Sequence, residues 1–249
     1  MRESREFASE IKFQVPEFAG EEILNWARSK LLPDPNANGD GQSGAYEITS
    51  LYFDTEAFDV YHRNGSFGRS KYRIRRYGPA KVAFLERKLK TRGLVSKRRA
   101  AVDVGELERL REAEADPGWA GFWYHQRLLA RRLRPICQIT YRRLAWVAMT
   151  SHGAVRLTLD HGVRAVPIEV VAFNELTPAV LLTDHQVIVE FKFRYDMPLL
   201  FKEVVEKFAL TQTRLSKYRL AAAALGLVEP PAPVPQPQTE GPAPVCLTS

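Results

Sequence analysis

Eight segments of the chain alternate polar and apolar residues with a period of two, at residues 12–15, 47–53, 71–77, 82–90, 96–104, 137–146, 154–160 and 186–194. Successive side chains of a strand point to opposite faces, so this pattern predicts strands with one apolar and one polar face. Short connections between many of them favour antiparallel pairing. Helical periodicity predicts a helix over residues 19–31 and a run over 199–225 broken near 210–215. It predicts a third helical region between Leu107 and Leu133, interrupted at Asp116-Pro117-Gly118. No internal repeat or interior linker divides residues 1–228, which read as one domain. From Glu229 the chain turns to EPPAPVPQPQTEGPAPVCLTS, too poor in large apolar residues to order itself, so residues 229–249 are expected to form a disordered tail.

Collected onto one face, the polar positions of the strands are chemically lopsided. They comprise Lys12, Arg73 and Arg75, Glu86 and Lys88, Lys97, Tyr141 and Arg143, Arg156 and Asp160, and Glu190 and Lys192. Taken singly, a pair such as Arg73 and Arg75 fits the solvated face of an ordinary sheet. Taken together, the cations would repel, since two unit charges ~4 Å apart interact by about 4 kcal/mol at an effective dielectric of ~20. A bound polyanion removes that conflict, and closing the sheet into a barrel would turn the basic face inward and focus its field on a linear ligand. Glu190, with Glu86 and Asp160 as weaker candidates, suits a divalent cation bridging phosphate oxygens, because Mg²⁺ and Mn²⁺ bind through few carboxylates plus substrate. The same carboxylates could equally pair with neighbouring lysines and arginines. Ser216 reads as the N-cap of an alanine-rich helix; with Lys217 it offers a hydroxyl, an ammonium and free N–H groups to an anion, or it merely caps.

Composition narrows the partners. Lysine and arginine outnumber aspartate and glutamate by 36 to 29, a net charge of +7, in a chain that is 45% hydrophobic. A basic globular protein points to an anionic partner. The N-terminal stretch lacks the apolar core of a signal peptide and no run of about 18 apolar residues occurs, so no direct membrane insertion and a cytoplasmic location are expected. An unidentified membrane or protein partner stays open. Cys137 and Cys246 show no metal or disulfide spacing and are expected to be free thiols. No helix-turn-helix, zinc-finger or RNP pattern is present, so nucleic acid is not an expected partner, and GxxxxGK[ST] is absent. Residues 34–40 begin like a calcium loop, but Ala45 stands where such a loop needs its bidentate glutamate, so a solvated loop is expected. The five histidines have no metal or triad spacing.

Eight landmarks in order resemble the VTC domain, the catalytic module of vacuolar transporter chaperone polyphosphate polymerases, within the triphosphate tunnel metalloenzyme (CYTH-like) superfamily. They are SLYFDT (50–55), YRIRRYGP (72–79), FLERKLK (84–90), SKRR (96–99), TYRR (140–143), VRLTLD (155–160), VIVEFKF (187–193) and RLSKY (214–218). The resemblance implies an α+β fold, an antiparallel eight-stranded β tunnel flanked by helices. It implies that Arg73, Arg75, Lys88, Arg143 and Arg156 act on the transferred phosphoryl group, and that Lys12, Lys97, Tyr141, Arg214, Ser216 and Lys217 hold phosphates. Glu190 matches the metal-binding carboxylate for Mn²⁺ or Mg²⁺. The implied partners are ATP or another triphosphate and a growing polyphosphate chain. Arg214 stands where the family often has lysine, keeping charge but changing geometry. The first strand carries Glu10 and Lys12, only part of the ExExK signature of the wider superfamily, which favours the VTC branch over its cyclase and thiamine triphosphatase branches. The membrane helices and inositol-phosphate-sensing region of the eukaryotic enzymes have no counterpart here, so that regulation and export are not implied. A metal-dependent triphosphate or polyphosphate hydrolase and a non-catalytic polyanion-binding module are the alternatives.

Overall fold

The computed structural model describes residues 9–35, 45–91, 94–151, 153–174 and 178–229. Among them one antiparallel sheet has ten strands, eight on a continuous path. These are β1 (Ser9–Pro16), β3 (Ala45–Asp54), β4 (Ser70–Tyr77), β5 (Val82–Thr91), β6 (Leu94–Asp103), β7 (Arg134–Thr150), β8 (Gly153–Pro167) and β10 (Gln186–Phe193). Their order is β1-β10-β8-β7-β3-β4-β5-β6, while two-residue strands β2 (Leu32–Pro33) and β9 (Val180–Leu181) pair with β7 and β8. The expected α+β class and eight-stranded antiparallel arrangement are observed. Among the described residues no ladder joins β6 to β1. Their Cα atoms approach within 8 Å, and an ion pair between Lys88 of β5 and Glu10 of β1 spans the gap. Side chains, not a hydrogen-bond ladder, therefore link the sheet's two ends.

Helices pack on the apolar positions of the sheet. Helix α1 (Glu17–Lys30) buries Ile23, Leu24 and Ala27, with Glu17 in its first turn and Arg28 and Lys30 in its last, each complementing the helix dipole. Gly20 lets it lie against β10: a Cβ there would stand 3.0 Å from Val187 Cγ2. Helix α4 (Leu199–Lys207) joins the same cluster by stacking Phe201 on Phe191, centroids 4.4 Å apart. A second cluster gathers β3, β4, β5 and the first half of β7 under α3 (Phe122–Ala130) and α5 (Lys217–Ala224).

Two helical expectations change in detail. The region after Leu107 opens with a 3₁₀ segment, Val104–Arg111, held by a reciprocal capping box between Asp103 and Glu106, and only Phe122–Ala130 is α-helical. The break at Asp116-Pro117-Gly118 is a turn in which Asp116 accepts from Gly118 N–H at 2.8 Å. In β8, Gly162 and Val163 lie opposite the single residue Tyr141 of β7, a bulge made possible by Gly162 at φ +56°. The expected tail, apart from Glu229, and the thiol of Cys246 lie outside the described residues. Within the proposed loop at 34–40, Asp34 is 4% exposed and pairs with Arg156 at 2.7 Å, so it is a buried counter-ion and not a solvated position; residues 36–44 lie outside the described set.

One buried carboxylate ties the sheet to the helices. Asp54, at the end of β3, accepts from the backbone N–H groups of Thr55 (2.7 Å), Val60 (2.8 Å) and Tyr61 (2.9 Å). It also accepts from the Tyr218 hydroxyl of α5. Tyr218→Phe removes one bond to a charged group and should destabilise the protein by roughly 1.5–3 kcal/mol. Asp54→Ala strands three buried N–H groups as well and should cost clearly more. Urea unfolding of both variants measures the difference, and equal losses would show that the backbone contacts contribute nothing.

Candidate functional site

The antiparallel register sets charged side chains side by side on the inner face. In one row Lys71 of β4 lies opposite Lys88 of β5, which lies opposite Lys97 of β6; in the next, Arg73 is followed by Glu86 and Arg99. Across the sheet, Lys12 of β1 lies opposite Glu190 of β10, which lies opposite Thr158 of β8, and Arg143 of β7 lies opposite Asp160. Arg73, Arg75, Lys88, Lys97, Arg143, Arg156 and Glu190 thereby line one cavity of about 130 Å³. Glu10, Tyr46, Tyr77, Thr158 and Lys192 complete much of its wall.

Four carboxylates are interleaved with the cations. Glu86 is fully buried and bonded to Arg73 (2.7 Å), Lys97 (3.2 Å) and Arg99 (3.3 Å). Burial alone would raise its pKa, but Arg73, Arg75 and Lys97 outweigh that and hold it far below the usual carboxylate range. Asp160, also fully buried, receives a bidentate fork from Arg143 (2.6 and 2.7 Å) and the Lys217 ammonium (2.5 Å). Burial opposes these cations, yet they lower its pKa to about 2. Glu86 and Asp160 are thus each bonded to two or more cations. Glu190 pairs with Lys12, and Glu10 pairs with Lys88 while lying 3.9 Å from Lys12. Glu190 is held ionised against its burial by Lys12, Lys88, Arg143 and Lys217.

Arg75 differs from its neighbours. It is 6% exposed, and among the described residues its side chain meets only neutral partners, Ser50 Oγ at 3.1 Å and Tyr141 Oη at 3.0 Å. Tyr141 thereby orients an arginine, and its own ring lies under the Lys217 ammonium at 4.8 Å. Ser216 caps α5 by accepting from Arg219 N–H at 3.4 Å and also accepts from Lys71 Nζ at 2.9 Å. Arg214 is exposed and is not part of the cavity wall. Lys71, Arg99 and the Tyr46 hydroxyl, which accepts from Arg156 at 2.6 Å, escaped the sequence reading. Lys71 and Arg99 already lie within the alternating segments 71–77 and 96–104, two positions from Arg73 and Lys97 and so on the same face.

Among the described residues no group of three or more histidine, cysteine, aspartate or glutamate side chains could hold a metal. Glu10 and Glu190, brought together by their shared approach to Lys12, still fit the mode in which Mg²⁺ binds through one or two carboxylates and completes its shell with substrate phosphates. A larger cleft, about 460 Å³, lies on the opposite face of the sheet beside Thr49, Thr140 and Gln138. Its two arginines, Arg76 and Arg164, stand with Glu47 among neutral groups, so the smaller inner cavity has the stronger field.

The fold has relatives among solved structures. A Bacillus halodurans protein described as a candidate adenylate cyclase superposes with a TM-score of 0.53 at 16% identity, covering 86% of this chain and 96% of that one. A candidate adenylyl cyclase from Hippeastrum, described as having a dominant triphosphatase activity, reaches a TM-score of 0.49 at 14% identity, covering 88% and 96%. At such identities the likeness concerns the fold alone, and it rests on the first. No curated protein matches the chain by sequence. Residues 7–226 match the family model of the VTC domain, so nearly the whole charged sheet and its flanking helices fall within the match and the chain belongs to the VTC domain family.

Proposed function

We propose that the protein is a metal-dependent, triphosphate-binding tunnel enzyme that transfers the γ-phosphoryl group of ATP to the end of a polyphosphate chain. The observation that carries this reading is Arg75, a guanidinium enclosed at 6% exposure whose hydrogen-bond partners among the described residues are all neutral. Glu86 balances Arg75 only at a distance and is bonded to Arg73, Lys97 and Arg99, so a phosphate among Arg73, Arg75 and Arg143 would give Arg75 a directly bonded counter-charge.

The chemistry asks little covalent help of the protein. A terminal phosphate oxygen of the chain, already ionised, attacks the γ-phosphorus; the bond to the β–γ bridging oxygen breaks, and ADP leaves with that electron pair. Arg73, Arg75, Arg143 and Arg156 hold the phosphates in line and neutralise charge developing on the equatorial oxygens. Lys12, Lys88, Lys97 and Lys217 support the donor and the chain, while Ser216 and Tyr141 orient cations beside them. Glu190 and Glu10 would hold Mn²⁺ or Mg²⁺, whose chemistry is to offset charge on the phosphate oxygens. Arg214, exposed and outside the cavity wall, keeps at most a role at the approach to the tunnel.

Transfer is favoured over hydrolysis because water needs a base and an ionised phosphate does not. Each cavity carboxylate is bonded to lysine or arginine, through Glu10–Lys88, Glu86–Arg73, Asp160–Arg143 and Glu190–Lys12. Such groups are poor proton acceptors. Cations contributed by strands from both ends of the sheet also exceed what one compact triphosphate contacts.

Purified protein given ATP and Mn²⁺ should form a ladder of polyphosphate chains on a gel, with ADP rising and little free phosphate. Stoichiometric free phosphate without chains would replace this reading with the hydrolase, and binding without turnover would leave a polyanion-binding module. Glu190→Gln should lower turnover by about 100-fold or more, on the scale of losing one transition-state electrostatic partner, with melting temperature and circular dichroism little changed. Full wild-type turnover in excess chelator would remove the metal's role.

A further inference from the structure

Lys71 is the member of the lysine row that has no carboxylate. Lys88 is paired with Glu10 and Lys97 with Glu86, whereas among the described residues Lys71 Nζ bonds only to Ser216 Oγ, at 2.9 Å. The charged groups around it come from several elements. β5 brings Lys88, β4 its own Arg73, the turn after α2 (Asp59–His62) Arg63, and β1 Lys12. The carboxylates beside Lys88 and Lys12, Glu10 of β1 and Glu190 of β10, are engaged by those lysines, and Lys217 of α5 is engaged by Asp160. Like charges directly opposite one another destabilise a sheet, so the Lys71–Lys88–Lys97 row is a poor arrangement for an empty protein and a good one for a phosphate lying across it.

We propose that Lys71, beside the cavity wall opposite Lys88 and positioned by the Ser216 hydroxyl, is a further phosphate-binding residue and holds the part of the polyanion nearest the start of α5. The assignment rests on the tunnel being a polyphosphate site. It carries a consequence that no other tunnel residue shares to the same degree. Burial, reinforced by Lys88, Lys12, Arg63 and Arg73, pushes the Lys71 ammonium down to about 7 in the free protein. A phosphate within hydrogen-bonding reach favours the charged form and raises it again. Above pH 7 the free lysine is therefore largely neutral, and binding a phosphate takes up a proton. Affinity is highest below pH 7 and falls as pH rises, by up to about tenfold per pH unit while the free side chain is neutral and the bound one charged.

Calorimetric titration of tripolyphosphate into the intact protein at pH 6.5, 7.5 and 8.5, in buffers of different ionisation heat, reads both affinity and proton uptake. Lys71→Arg keeps a cation that cannot titrate in this range, so it should flatten the pH dependence and take up about one proton fewer than wild type at pH 8.5. Comparing the two cancels the titration of the ligand and of the remaining lysines. Lys71→Met should weaken binding at pH 6.5 and narrow the difference from wild type at pH 8.5. An unchanged pH slope and proton uptake in Lys71→Arg, with wild-type binding intact, would overturn this inference alone. No tripolyphosphate binding by the wild type would overturn the polyphosphate reading and this inference together.

Discussion

Mutual repulsion among cations on one sheet face is the constraint that the rest of the structure answers. Antiparallel pairing puts side chains of neighbouring strands about 4.5–5.5 Å apart, and here many of those side chains are lysine or arginine. Glu86 and Asp160 meet the repulsion from within the sheet, each fully buried and each gripping two or more cations. They also decide where the cations point. The fork from Arg143 to Asp160 fixes that guanidinium as a plane, and Glu86 draws Arg73 from one side and Lys97 and Arg99 from the other. The cations are thus arranged before any substrate arrives, which is the condition under which charged groups stabilise a reacting phosphoryl group without reorganising.

The apolar outer face makes this arrangement affordable in structural terms. Two hydrophobic clusters, one under α1 and α4 and the other involving α3 and α5, hold the sheet, and α5 meets the inner face itself, Tyr218 stacking on Tyr52 at 5.6 Å. β7 runs through both, contributing Ile136 and Ile139 to one and Leu144 and Trp146 to the other. The Gly162 bulge falls between these halves and switches the face of β8, so Arg156 and Thr158 line the cavity while Arg164 lines the opposite cleft. Asp54 then holds α5 to the end of β3, which places Lys217 over Asp160 and Ser216 beside Lys71.

Balance between fixed and unfixed charge gives the cavity its chemical character. Paired cations such as Arg73 and Arg143 are bonded to carboxylates without a ligand, whereas among the described residues Arg75 and Lys71 are bonded only to neutral groups. A tunnel made only of paired residues would hold a polyanion weakly, and one made only of unpaired residues would not fold. Bringing both kinds onto adjacent rows reconciles a stable sheet with a strong field, and it leaves the carboxylates too well satisfied to serve as bases.

Alternation by itself determined the eight strands and the side of each on which Arg73, Arg75, Lys88, Arg143, Arg156 and Glu190 stand, because the side-chain period of a strand is a local property of the backbone, and the short connections determined antiparallel pairing. The ordered landmarks from SLYFDT to RLSKY pointed to the family for the same reason: they are runs of neighbouring residues. What the tertiary structure decided is which charge meets which. Glu190 stands out along the chain as the leading metal candidate with Glu86 and Asp160 behind it, but only the pairing of β5 with β4 and β6, and of α5 with β8, shows how many cations the latter two engage. Asp34 looked like part of a solvated loop until β2 carried it under Arg156. Lys71 looked like any strand lysine, since nothing in its neighbourhood along the chain reveals that its partners across the sheet are all cations. Ion pairing depends on register and on contacts between residues far apart in the chain, and those distances exist only once the sheet has curled.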